Sequence, residues 1–175
     1  MAYATTKTIE VDKIPVIDVS QLRSGTSETA LTVALKIRQA AEEVGFFYIT
    51  NHGIAEAVIK QAYSAAKDFF NLPKKLKDSV KINANHHGYL SVGEAKMEQA
   101  ERVDLKESFV WGLDLPDEHP SVTKENPFLG RNQWPDGKPD FKRAVYPFFE
   151  AGLQLFCRGL NAYKNGLDCN MQRPH

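Results

Sequence analysis

The sequence predicts a mixed α/β fold of the α+β kind, and three observations predict it. Phe46-Phe47-Tyr48-Ile49, four large apolar or aromatic residues in a row, stand between Gly45 and Gly53 and read as one strand buried on both faces. Apolar stripes at three- and four-residue spacing flank that run: Val33, Ile37, Ala40, Ala41 and Val44 before it, Val58, Ala62, Ala65, Ala66 and Phe69 after it. Each stripe needs a sheet or a helix to rest on. A third segment, Glu107 to Leu115, alternates Phe109, Trp111 and Leu113 onto one face, the period of a strand.

The elements follow in chain order. Ile14-Pro15-Val16-Ile17-Asp18-Val19 is a short strand, and Pro15 near its start marks an edge strand or a strand entry because proline has no N–H for a ladder. Ser27 is the expected cap of a helix that runs to about Val44, with Glu28 favourable in its first turn. Gly45 stops that helix in the left-handed conformation that glycine adopts most easily. Asn51-His52-Gly53 turns the chain into a second helix ending near Asn71, and Pro73 starts a short one reaching about Val80. Gly88-Tyr89-Leu90 reads as extended and Ser91 to Lys96 as loop. In the third strand, the Trp111 ring nitrogen needs a hydrogen-bond partner. Pro116 to Pro139 is an irregular connection, long enough to cover something. A strongly apolar helix closes the chain from about Phe141 to Leu167; Pro147 within it forces a kink or a later start.

Length and composition narrow the classes. A chain of 175 residues is about one domain. Lys+Arg and Asp+Glu balance at 22 each, which argues against a nucleic-acid partner. The local run Lys74-Lys75-Leu76-Lys77 reads as a solvated helix start. Met1 to Lys13 lacks the apolar core of a secretory signal, and no apolar run reaches the ~18 residues of a membrane span. Cys157 and Cys169 have no metal spacing and are expected as free thiols, so a soluble cytoplasmic protein without membrane contact is the expectation.

The residues alone carry no reaction. His52, His86, His87, His119 and His175 show none of the spacings that grip a metal. His86 and His87 are adjacent, so on an extended backbone they point to opposite faces and line a pocket or meet solvent. His52 reads as a structural turn residue. Nucleophile elbows and phosphate loops are missing, and Cys157-Arg158 is a weak case for a thiolate. Asp104, Lys106 and Glu107 read as surface charges beside a strand.

The order of motifs says more. Pro15-Val16-Ile17-Asp18 is followed by Gly45-Phe46-Phe47-Tyr48-Ile49-Thr50-Asn51-His52-Gly53-Ile54, then by Phe69-Phe70-Asn71-Leu72-Pro73 with Lys77. Gly88-Tyr89, Asp104-Leu105-Lys106-Glu107-Ser108-Phe109, Asn126-Pro127 and Asn132-Gln133-Trp134-Pro135 complete the series. From Ile14 to Leu167 it resembles the N-terminal region of the isopenicillin N synthase-like, iron(II)- and 2-oxoglutarate-dependent dioxygenases. The resemblance implies helices and strands that flank a double-stranded β-helix, or jelly roll, whose barrel half is not in this sequence. It implies a reaction too: ferrous iron on two histidines and a carboxylate, 2-oxoglutarate decarboxylated to succinate, and a C–H bond of a small molecule oxidised.

The family holds its metal with His-x-Asp and a distal histidine, and its co-substrate with Arg-x-Ser; this sequence contains neither tripeptide. No catalytic or metal residue can be carried over, and neither iron(II) nor 2-oxoglutarate is expected to bind this chain. What carries over is the neighbourhood of Gly88-Tyr89, which in the family borders the substrate pocket; His86 and Tyr89 are the candidates for facing a small-molecule substrate. The division implied is a tail at 1–13, a dioxygenase N-terminal domain at 14–167 and an atypical tail at 168–175, whose polar aperiodic residues have the look of a truncation or frameshift. Two functions follow: the N-terminal portion of such an oxygenase, or an inactive fragment or interaction module that self-associates through apolar surface.

Overall fold

The computed structural model describes residues 13–94, 104–123, 126 and 128–171, the last stretch with side chains to residue 164. Its elements are β1 (Val16–Asp18), α1 (Gln21–Ser24), α2 (Ser27–Glu43), β2 (Tyr48–Thr50), α3 (Glu56–Phe70), α4 (Lys74–Asp78), β3 (Gly88–Leu90), β4 (Ser108–Val110) and α5 (Pro139–Met171). The chain gathers into two compact units, one from the residues up to Glu56 with Phe148 onward, the other from Ala57–Pro147.

In the first unit β1 and β2 pair in parallel, with Val16 opposite Tyr48, Ile17 opposite Ile49 and Asp18 opposite Thr50. Parallel neighbours need a crossover, and α2 supplies it. Its cap is Thr26 and not Ser27: Thr26 has the extended backbone of a cap residue, and its hydroxyl accepts from the Thr29 N–H at 3.3 Å. Gly45 ends the helix as expected, at φ +95°. Ile17, Val19, Val33 and Ala40 form the core, with Leu22, Ile37, Phe47 and Leu155 packed against it. The stripe read from the sequence thus rests on the sheet.

The expectation of a strand buried on both faces is corrected. Phe46 and Tyr48 are each 58% exposed and Val16 is 63% exposed. With one helix layer, only the face bearing Ile17 and Phe47 is covered; alternation sends Tyr48 and its partner Val16 to the other.

The second unit is built on aromatic rings. Phe69, Val80, Tyr89, Phe141 and Val145 are its buried centre, with Ala65, Phe70, Leu72, Phe109, Trp111 and Trp134 around them. The Phe69 ring lies 4.8 Å from Phe141, 4.9 Å from Phe109 and 5.9 Å from Tyr89, centroid to centroid. Edge-on and stacked ring pairs of this kind add about 0.5–1.5 kcal/mol each beyond their burial.

The third strand is shorter than its pattern: β4 pairs antiparallel with β3 over three residues only. Beyond it the Asn132 side chain takes the place of a neighbour strand, accepting from the Gly112 N–H at 3.0 Å and donating to the Gly112 carbonyl at 2.9 Å. Phe109 and Trp111 reach the core, but Leu113 is 41% exposed. The Trp111 Nε1–H is buried and finds no acceptor among the described residues.

Two charge readings are also corrected. Lys77 is buried and not solvated, and Glu107 is half-buried and not a surface charge. They meet each other, as described below. The C-terminal helix is longer than expected, holds Pro147 inside it and includes Asp168 to Met171. Residues 172–175, the rest of that predicted tail, and 1–12 of the predicted N-terminal tail lie outside the described residues.

Candidate functional site

The segment singled out by sequence, His86 to Tyr89, closes a tight loop in the second unit. Its ends are pinned together: the Tyr89 N–H donates to the Val80 carbonyl at 2.7 Å, and the Ile82 N–H donates to the Tyr89 carbonyl at 2.8 Å. Inside the loop the Asn83 carboxamide oxygen accepts from the Asn85 and His87 N–H groups. Asparagine folds the chain back on itself in this way with little strain.

The 129–133 segment then clamps the loop from outside. Asn85 Nδ2 donates to the Leu129 carbonyl at 2.7 Å, and His87 Nδ1 lies 3.1 Å from the Arg131 carbonyl. Gln133 Nε2 donates to the Lys81 carbonyl at 2.6 Å and to the His87 carbonyl at 2.7 Å. Gly88 has φ +122°, and a Cβ there would meet the Val80 carbonyl at 2.5 Å and Gln133 Nε2 at 2.7 Å. Only glycine fits that crossing.

The loop leaves the His86 side chain exposed. His86 is exposed with its backbone in the left-handed region, at φ +58°, and its ring lies 5.1 Å from that of Phe128. Histidine visits that region more than most residues, but it does so here because the loop dictates it. The two adjacent histidines part company, as expected: His87 is buried against the Arg131 carbonyl while His86 faces out. His52 is a turn residue whose Nδ1 accepts from the Ile54 N–H at 3.1 Å.

Tyr89 is placed differently. It is buried in the ring cluster, and its hydroxyl donates to Glu107 Oε2 at 2.6 Å. The same oxygen accepts from Lys77 Nζ at 2.6 Å, and that ammonium also donates to the Phe70 carbonyl at 2.9 Å. Burial first, and Glu107 second, push the Tyr89 phenol well above its ordinary range. The Lys77 hydrogen bond, then that of Tyr89, holds the Glu107 carboxyl below its usual value against the opposing effect of burial. The network joins α4, β3 and the start of β4, so it fixes the base of the loop that carries His86. Asp114 does similar work at the other end. Burial alone would raise its pKa, but Lys142, the Asn132 N–H and Trp134 Nε1 hold it below the ordinary carboxylate value.

Sequence reasoning named His86 and Tyr89 and missed their supports, Asn83, Lys77, Glu107 and Gln133. One signal was available: Lys77 and Glu107 both sit beside apolar residues of elements that must pack. The pairing itself spans 30 positions and leaves no local pattern.

The described residues do not fit a metal. Among them no three His, Cys, Asp or Glu side chains converge to hold an ion. The supports around His86 are carboxamides and backbone groups, which order a loop and do not supply a ligand set for iron.

Comparison with known proteins gives this site its setting. The 2-oxoglutarate-dependent dioxygenase citB of Monascus ruber is 32% identical over 147 residues, covering 81% of this chain and 44% of its own length. The caaD dioxygenase of Aspergillus niger is 35% identical over 153 residues, covering 85% of this chain and 46% of its own. The chain spans about half the length of the curated relatives it matches. Among solved structures, a full-length Neurospora crassa protein in complex with alpha-KG and thymine superposes with a TM-score of 0.65 at 25% identity, over 89% of this chain and 49% of that one. A 2OG-Fe(II) oxygenase family protein from Caulobacter crescentus gives 0.69 at 25% identity over the same shares. The expected fold class, a mixed α/β portion of such an oxygenase, is met. The model of the family described as "non-haem dioxygenase in morphine synthesis N-terminal" matches residues 14–137, well over half of the sequence, and the chain therefore belongs to that family.

Proposed function

We propose that this chain is the N-terminal portion of a non-haem iron(II)- and 2-oxoglutarate-dependent oxygenase that oxidises a small molecule, and that it has no turnover of its own. The observation that carries the reading is the family match over residues 14–137 together with the lack of any converging metal-ligand set among the described residues. Iron and 2-oxoglutarate are then held by sequence outside this chain. In this reading the chain contributes the frame, and His86 is assigned to contact the substrate; its exposure on a clamped loop supports that assignment. Tyr89 serves as a support, since its hydroxyl is engaged with Glu107. The domain is taken as residues 14–167. A cytoplasmic setting suits two cysteines without a disulfide framework, and no helix among the described residues is long and apolar enough to cross a membrane.

A second reading, an interaction module without catalysis, is favoured by one observation. Val16, Phe46, Tyr48, Phe156 and Leu160 are all more than half exposed in the first unit, which gives the isolated chain a surface for self-association.

Purified chain supplied with ferrous iron, ascorbate, 2-oxoglutarate and oxygen tests the first reading. No succinate above the protein-free rate is expected. Succinate formed in step with oxygen uptake, and abolished by a chelator, would overturn it.

A further inference from the structure

The second unit holds a cavity of about 490 Å³ between α3 and the start of α5, within the range of small-molecule sites. From α3 come Gln61, Ser64, Ala65, Asp68 and Phe69, a helical stripe on one face. Phe141 and Ala144 supply the opposite wall, and Leu72 completes the apolar part. Lys138, Asp140 and Arg143 stand at the rim.

The charges there are not self-cancelling. Arg143 donates to Asp140 at 3.3 Å, three positions along the same helix. That leaves Asp68 on one wall and Lys138 on the other, and neither forms an ion pair among the described residues. Gln61 and Ser64 add a carboxamide and a hydroxyl beside Asp68, also without hydrogen-bonded partners among the described residues. An apolar floor between one free carboxylate and one free ammonium complements a particular kind of guest.

We propose that this cavity binds a small zwitterion with an aromatic or branched apolar body, its ammonium toward Asp68, its carboxylate toward Lys138 and its body against the apolar lining of Ala65, Leu72 and Ala144, with the edges of Phe69 and Phe141 beneath. A purely apolar guest leaves both charges unused. A dianion or dication gains one partner and meets repulsion from the other.

L-phenylalanine is the probe, titrated into the 15N-labelled chain. Amide shifts at Ser64, Asp68, Phe69, Phe141 and Ala144 are expected to saturate together. Asp68→Asn and Lys138→Gln should each weaken binding about threefold or more, the size of one exposed ion pair. 3-Phenylpropanoate, without the ammonium, should respond to Lys138→Gln only, and 2-phenylethylamine, without the carboxylate, to Asp68→Asn only. Both substitutions replace exposed charges, and retained helical circular dichroism verifies folding. Ala144→Leu, which fills the cavity, should abolish the shifts. Binding that ignores both charge variants, shifts centred elsewhere, or no saturation by ~10 mM probe (about 2.7 kcal/mol of binding at most) overturns the proposal.

Discussion

Replacing Glu107 by Gln removes one charge from the most enclosed ion pair in the second unit and changes little else in shape. The Lys77 side chain is 10% exposed and that of Glu107 is 28% exposed, at an N–O separation of 2.6 Å. Breaking a fully buried pair costs about 3–5 kcal/mol, because the surviving ion keeps its desolvation without its partner. Glu107 is in partial contact with water, and Gln still offers an oxygen to Lys77 and Tyr89, so the expected loss is about 2 kcal/mol. Lys77→Met in the same background removes the orphaned ammonium. The double variant should then recover at least ~1 kcal/mol relative to the sum of the two single losses. Urea unfolding at low protein concentration reads this directly, followed by the fluorescence of Trp111 and Trp134, which pack in the same ring cluster. A Glu107→Gln loss below ~0.5 kcal/mol, or strictly additive losses in the double variant, would refute the view that an enclosed charge pair sets the stability of this unit.

The same network fixes a pH dependence. The folded Glu107 pKa lies below its unfolded value, so its contribution is present above the unfolded pKa of ~4.3 and is lost as pH falls through the folded one. The unfolding midpoint should therefore drop on acidification below about pH 4, with a shallower slope in Glu107→Gln. Tyr89 has the opposite sign: its folded pKa is raised, so its contribution holds below the unfolded value of ~10 and fades as pH rises further. Tyr89→Phe should flatten the alkaline limb. Gly88→Ala places a methyl 2.5 Å from the Val80 carbonyl at a backbone angle that L-residues avoid; a loss of more than about 2 kcal/mol is expected, with His86 and Gln133 resonances shifted in NMR spectra. Phe46→Ser with Tyr48→Ser removes two rings that are each 58% exposed. Sedimentation velocity should show less self-association, with the thermal midpoint unchanged or raised.

Much of the architecture follows from short-range pattern, because helix stripes, caps and glycine stops depend on neighbours three or four positions apart. The α2 and α3 stripes, the stop at Gly45 and the extended Gly88-Tyr89-Leu90 all appear where their spacing puts them. Motif order sufficed for the family. What the local pattern could not reach is set by pairing at a distance. The burial of Lys77 rests on Glu107, 30 residues away, so a run of lysines that reads as solvated includes one enclosed ammonium. Asn132 ends the third strand from 20 residues downstream, and Leu113 is left outside although its alternation is that of a core residue. The aromatic run at Phe46 to Ile49 shows the limit best. Sequence alone determines that a strand forms here, since hydrophobicity and glycine boundaries are properties of the chain, but the strand itself is Tyr48–Thr50 and leaves Phe46 and Phe47 before it. Tertiary structure decides how many of its faces are covered: with β1 beside it and α2 over one side, Phe47 is packed while Phe46 and Tyr48 stay open, because burial depends on which elements are present to pack.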